Sequence, residues 1–381
     1  MSNTSTTTQG HDNAELPRIA TKSKSLADME RDIVHYPDPI RNATAWLQGF
    51  YLDHCRRNLN VLRSIACKAG HDKSVPYFYN VMGGQNFKGG PGEWKENGRA
   101  WSEFLTIVEA LRRYEQQTVH TGKIPFIETP TYQCIADFIT AKRAISAVCK
   151  IGGITGATGG QKSACFKQYR LLNNHGAVIH IEAPANGRLT MLKRKIAEAY
   201  HVNSFRISHQ VDTAIREQVN EARCIIIDNA QVLYSQGRGG DQPAFNWLRE
   251  MQDDTNCTII LSFTTDFVDI LTAGRAQGYF EQFIGRMGGV AGILRLPEYA
   301  ETSDLRVIAK AFGLLQVKGA MDLVRKWSRR EGRIRIVFEK LQLAQTFARA
   351  EGREKIALED LADADEYIPQ AFRSDSEGGD E

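Results

Sequence analysis

The segment Gly156-Ala-Thr-Gly159-Gly160-Gln161-Lys162-Ser163 constrains this chain more than any other. It follows a short apolar strand expected over 150–154 and opens a helix, the setting a phosphate-binding loop requires. Glycines let successive backbone N–H groups turn toward a polyphosphate, and the helix N-terminus adds its partial positive charge. On this reading Gly156, Thr158, Gly159, Gly160, Gln161 and Ala164 line a cradle for ATP, Lys162 reaches the β- and γ-phosphates, and Ser163 ligates Mg²⁺. Gln161 departs from the G-x-x-x-x-G-K-[ST] pattern: it stands where the last glycine belongs, and its side chain can crowd the phosphates. Alone, the segment can also be read as a glycine-rich turn with a surface lysine.

A second motif answers the first. Arg223-Cys-Ile-Ile-Ile-Asp228-Asn229 is an apolar strand ending in an acid, 65 residues beyond Ser163. A strand-terminal Asp can cap a helix, but in this order and spacing Asp228 completes the Mg²⁺ shell. Asn229 stands where nucleotide hydrolases of this design carry Glu. An amide orients water but cannot accept its proton, so tight nucleotide binding with slow hydrolysis is expected. The alternative is a base from Asp253, Asp254 or a neighbouring subunit. Thr264 closes the next strand, with Thr265 beside it, where a polar side chain senses the γ-phosphate; an ordinary strand terminus is the plain alternative. Arg286, 22 residues past Thr264, is a candidate finger that reaches a neighbour's site and neutralises charge on the transferred phosphoryl group. Arg275 is its rival, and a solvated helix arginine the alternative to both. In Gly332-Arg-Ile-Arg335, Arg335 or Arg333 points back at the nucleotide or is a surface charge.

The runs 178–181, 224–227, 258–263 and 293–296 are apolar throughout and alternate with helical stretches. That pattern marks a parallel sheet covered on both faces. The expected fold is α/β: a P-loop core with a five-stranded parallel sheet over 122–297, followed by a helical lid over 298–368. Before it lies a small all-α unit over 28–121. There apolar residues recur at helical spacing from 43 to 69, a second amphipathic helix runs through Phe104, Ile107, Val108 and Leu111, and a short helix between them stops at Gly83 and Gly84. This arrangement suits a helix-turn-helix.

Residues 1–27 read as a polar, disordered leader and 369–381 as an acidic, disordered tail. The tail matters to the charge: residues 371–381 carry −3, so a formal net charge of +3 leaves +6 on the rest. Mild basicity permits a nucleic-acid partner without demanding one. Arg188, Lys193, Arg194, Lys195 and Arg238 are candidates for phosphate contacts. In the N-terminal unit Tyr79, Asn80, Gln85, Asn86 and Lys88 are candidates for phosphate or base edges, with Tyr77 and Phe78 read as core. The seven cysteines include no C-x-x-C pair, and no run of eighteen apolar residues occurs. The expectation is a cytoplasmic protein with reduced thiols and no membrane partner.

With these elements in order, the chain resembles the AAA+ transposition ATPases, the family of the phage Mu B protein and the IstB, TniB and TnsC helpers. The likeness covers roughly 124–362 and is carried by Phe126-Ile-Glu-Thr-Pro-Thr131, Gly156 to Ser163, the strand ending at Asp228, the Arg286 segment and Gly332-Arg-Ile-Arg335. Residues 77–87 resemble the recognition segment of a helix-turn-helix found in that family. The resemblance implies ATP-dependent homo-oligomerisation on double-stranded DNA, as a hexameric ring or helical filament. It also implies delivery of that DNA to a transposase or integrase. Two rivals remain: a nucleotide-bound scaffold that never hydrolyses, and a helicase loader sharing the same core.

Overall fold

The computed structural model describes residues 24–84, 99–119, 126–144, 149–202, 208–234, 242–272 and 277–367. Most of the expected leader, the acidic tail and the expected boundary at 122 lie outside the described residues. So do Gln85, Asn86, Lys88, Arg238 and Arg275.

Five strands form one sheet: β1 (Ile151–Thr155), β2 (Val178–Glu182), β3 (Cys224–Asp228), β4 (Thr258–Phe263) and β5 (Ile293–Arg295). They lie in the order β2-β3-β4-β1-β5, every pair parallel. The continuous apolar runs have a simple cause, since successive side chains on a strand point to opposite faces and both faces here are covered. Ile225 and Ile227 join Ile259 and Leu261 in one core, against Leu192, Ile196, Phe245 and Trp247. Cys224 and Ile226 join Ile260 in the other, against Tyr132, Ile139 and Phe166. Each isoleucine so buried contributes about 1.5–3 kcal/mol. Strand order sets the C-terminal ends of β3, β4 and β1 side by side, the edge where open α/β sheets receive ligands.

The helices packed on the sheet are α6 (Pro130–Ala144), α7 (Lys162–Leu172), α8 (Leu189–Ala199), α9 (Ser208–Gln218), α10 (Pro243–Thr255), α11 (Thr265–Thr272) and α12 (Gln277–Met287). Beyond β5, α13 (Thr302–Ala311), α14 (Ala320–Ser328), α15 (Ile334–Ala350) and α16 (Leu358–Glu366) build a helical unit around Trp327, Val337, Leu341 and Leu361. A buried Asp304 on α13 ties this unit to the start of α6, accepting from the Thr131 backbone N–H at 2.9 Å and its hydroxyl at 2.5 Å.

Among the described residues, five helices precede α6 and the sheet: α1 (Leu26–Asp32), α2 (Asp38–Asp53), α3 (Leu59–Lys68), α4 (Val75–Met82) and α5 (Arg99–Val119). They enclose a core of their own, with Trp46, Phe50, Leu62, Phe78 and Phe104 fully buried. α1 begins inside the expected leader, because Ser25 caps it and Leu26 and Met29 find that core. The stretch 43–69 is two helices rather than one. Arg56 and Arg57 adopt φ of 47° and 61° between them, and the Tyr51 hydroxyl fixes the turn by donating to the Arg57 carbonyl at 2.6 Å.

One sequence expectation fails here. α4, expected to be the recognition segment, contains no exposed residue, and Tyr77, Phe78, Asn80, Val81 and Met82 are all buried. Its apolar density serves the core, and a helix that reads a groove must keep one face free. Open faces in this unit belong to α3, with Asn60, Arg63, Ser64 and Lys68 exposed, and to α5, with Ser102, Glu103, Thr106 and Glu109 exposed.

This helical unit docks on the β2 edge of the sheet. Arg223, buried just before β3, forms an ion pair with Glu30, one contact measuring 3.2 Å. Gln218 accepts from the Ala27 backbone N–H at 3.3 Å. Gly49 permits the close approach, because a Cβ there would overlap the Cβ of His175. Among the described residues, no helix is long and apolar enough to cross a membrane.

Candidate nucleotide site

The loop between β1 and α7 closes over itself. Lys162 Nζ donates to the carbonyls of Gly156 at 2.6 Å and Ala157 at 3.1 Å. Burial holds its ammonium below the usual lysine range; Asp228 opposes that push and Arg333 adds to it. Gly159 takes φ 83°, and a Cβ there would stand 2.5 Å from the Gly332 carbonyl, so loop and lid touch backbone to backbone. Gln161 occupies the N-cap of α7 at φ 66°, a left-handed conformation that suits the glycine this pattern normally carries.

Asp228, only 4% exposed, closes β3 directly opposite the loop, and the Ser163 hydroxyl donates to its carboxylate. Burial raises its pKa, but His180, Ser163 and Ser262 outweigh that and hold it at about 2. The nearest His180–Asp228 approach is 3.9 Å, too long for a direct hydrogen bond. His180 Nε2 and Ser262 Oγ are buried without a protein partner, as expected where water or a hydrated cation completes the shell. The Ser163 and Ser262 hydroxyls and the Asp228 carboxylate make a hard-oxygen corner that fits Mg²⁺.

Asn229 follows in a left-handed conformation at φ 55°, its backbone N–H held by Asp228 at 2.9 Å. Its side-chain amide donates to Glu182 at 3.1 Å, and Glu182 lies in register with Asp228 on the neighbouring strand. Sequence reading did not single out Glu182. Asp253 and Asp254, offered there as bases, sit elsewhere: Asp253 pairs with Arg286 at 2.7 Å and Asp254 with Arg216. Both end α10 just before β4 begins, so they lie at the opposite edge of the sheet from the loop. Arg286 is at that edge too, in the last turn of α12 with its side chain 43% exposed, outside the cleft.

A cleft of about 590 Å³ runs from this corner to the lid. Its polar end holds residues 158–164, Asp228, Asn229 and Thr264; its apolar end holds Phe126, Ile127, Ile334 and Phe338, with Gln342 beyond. The apolar wall is the part sequence reading missed. Its signal was the spacing of four among Ile334, Phe338 and Gln342 on α15, the helix that buries Ile334, Val337, Leu341 and Ala344 in the lid core. Arg335 also lines the cleft. Arg333 instead clamps the loop: it donates to the Thr158 carbonyl at 3.0 Å, reaches Glu298 at 3.3 Å and lies over the Tyr299 ring.

The proposed DNA contacts divide. Arg188 and Arg194 are exposed at the start and along the outer face of α8. Lys193 is committed within the protein, 3.3 Å from Asp212, over the Trp247 ring and only 12% exposed. Lys195 donates to the Glu182 carbonyl at 2.9 Å. In α4, Tyr79 is half-buried, and the burial of Asn80 removes it from contact with a duplex.

Comparison with known proteins agrees with this geometry. A family profile described as AAA domain matches residues 146–271, which hold the loop, Ser163 and Asp228. A second, described as Mu B transposition protein, C terminal, matches 297–367. No curated protein matches the chain. Among solved structures, it is similar to the ORC2 protein of Aeropyrum pernix in its ADPNP-ADP complexes, at 16% identity and a TM-score of 0.44 over 61% of this chain and 66% of that one. It is also similar to the Thermotoga maritima RuvB Holliday junction branch migration motor, at 15% identity and a TM-score of 0.39, over 63% of this chain and 69% of that one. The chain thus spans about two thirds of the length of these structures.

Proposed function

Since the chain is an AAA+ protein of the Mu B transposition type, we propose that it is an ATP-gated regulator of DNA transposition that oligomerises on double-stranded DNA and recruits or activates a transposase. The observation that carries this reading is the cleft itself: Lys162, Ser163 and Asp228 form one wall, and the segment matched by the Mu B profile supplies the other through Ile334, Arg335 and Phe338. ATP bridging the two walls ties the lid's position to the nucleotide.

The chemistry follows from the residues. Lys162 exchanges its two loop carbonyls for phosphate oxygens, which suit an ammonium better. Ser163 and Asp228 hold Mg²⁺, which when bound neutralises charge on the β- and γ-phosphate oxygens. Thr264 senses the γ-phosphate and Arg286 completes a neighbour's site. Asn229 cannot take a proton from water, and its amide is already given to Glu182, so turnover is slow and the ATP-bound assembly long-lived. Arg188 and Arg194 face DNA phosphates in that assembly.

Electron microscopy with duplex DNA and a non-hydrolysable ATP analogue tests the proposal. Rings or filaments that require the analogue are expected; particles that stay monomeric with and without it would refute assembly. The Asn229–Glu182 bond favours a second reading, a scaffold that binds ATP and never hydrolyses it. Steady-state turnover of wild type separates the two: slow hydrolysis that Asn229→Glu raises is expected, whereas a pure scaffold shows none.

A further inference from the structure

Away from the cleft, ligand-type side chains converge where the N-terminal helices meet the sheet. His54 Nε2, at the end of α2, lies 2.7 Å from Glu115 Oε1 on α5. His175 Nε2, in the loop leading to β2, lies 3.1 Å from the same oxygen and 3.2 Å from the other. The three ligand atoms all fall within 4.8 Å of one another. A tetrahedral ion with bonds of about 2.0–2.2 Å needs its ligand atoms roughly 3.3 Å apart, so small side-chain adjustments admit one.

We infer that His54, Glu115 and His175 bind a divalent transition-metal ion, zinc by preference, that joins the N-terminal helical unit to the nucleotide-binding core. Two imidazole nitrogens and a carboxylate are a donor set that zinc favours, with the fourth position left to water.

The surroundings are built as a metal site requires. Asp53 accepts from His175 Nδ1, which fixes the tautomer that leaves Nε2 free to ligate. Asp53 is itself oriented by His201 Nε2 at 2.6 Å, and Arg170 lies 3.9 Å away. Trp46 and Phe50 wall the pocket, their rings 5.5 and 6.1 Å from that of His175. His175 and Glu115 are 6% and 2% exposed, while His54 at 32% leaves one side open for entry. The two acids give the pocket a negative charge that a dication neutralises. Without an ion, the alternative is a protonated His175 donating to both carboxylates; zinc binding at Nε2 releases that proton to solvent.

The test uses the full chain, nucleotide-free and dialysed against a chelator. Zinc is then titrated by calorimetry and the bound ion counted by mass spectrometry. One zinc per chain is expected, with a rise in melting temperature. His54→Ala, at a partly exposed position that folding tolerates, lowers affinity at least tenfold and abolishes the thermal shift. Asp53→Asn lowers affinity about 10–100-fold by releasing the His175 ring. Asp228→Asn leaves zinc binding unchanged, which sets the seam apart from the phosphate loop. Cobalt in place of zinc gives ligand-field bands without a thiolate-to-metal band, which sets it apart from the cysteines. Wild type that holds zinc no better than His54→Ala, or a cobalt spectrum with thiolate character, overturns the inference.

Discussion

Gln161 bears a cost that the loop's shape imposes. A left-handed backbone at φ 66° is disfavoured for any residue with a Cβ, by about 1–2 kcal/mol. Gln161→Gly is therefore expected to stabilise the fold by about 1 kcal/mol and to tighten ATP binding, read by denaturant midpoint and calorimetry. A lower midpoint would show that the angle carries no strain. Asp228 gives a pH dependence whose sign is set by its depressed pKa. With the folded value at about 2 and the ordinary one at 3.8, its contribution is complete above pH 4 and is lost as pH falls toward 2. That loss amounts to about 2 kcal/mol, and Asp228→Asn should remove it from an acid titration of stability. That Lys162, Ser163 and Asp228 come together was legible in the sequence, because their placement depends on local motifs and on order along the chain. Glu182, Arg333 and Lys193 were not. Glu182 acquires its partner from the β2–β3 register, Arg333 its direction from a backbone φ of 50°, and Lys193 its confinement from Asp212 and Trp247 on other helices.

At the scale of elements, the strands and most helices were legible from periodicity, and the misreadings share one cause. Hydrophobic spacing shows that a segment packs, but not which side of it stays open; α4, short and apolar, leaves no residue exposed, while the less conspicuous α3 keeps a polar face. The lid's anchorage was equally invisible, since Thr131 and Asp304 are 173 residues apart. Removing a buried acceptor strands its donors at about 1–3 kcal/mol. Asp304→Ala should lower stability by about 2 kcal/mol in thermal unfolding, and an unchanged melting temperature would mean that the lid is held by apolar packing alone.

For the whole molecule, the seam between the helical unit and the sheet decides whether the chain moves as one body. Gly49→Ala drives a methyl group into His175, so the variant is expected to undock that unit. Limited proteolysis should then release it faster than in wild type, and equal rates would show that the seam adjusts. Thiol labelling checks the global packing independently. Cys55, Cys165, Cys224 and Cys257 are buried, and burial pushes all four thiols up, Cys165 to about 12. Only Cys67 and Cys134 are exposed, and Asp72 raises the Cys67 thiol by accepting a hydrogen bond from it. Native protein should therefore react fastest at Cys134.

The position of β1 in the middle of the sheet has a consequence for the chain's birth. Its neighbours are β4 and β5, and Ile151 meets its partner Ile259 only after 108 further residues have been made. At ribosomal speeds of about 5–20 residues per second, the phosphate loop waits on the order of 5–20 s beside an unpaired apolar strand, long after the N-terminal helices have closed on themselves. Nascent chains stalled before residue 258 should engage chaperones through that strand.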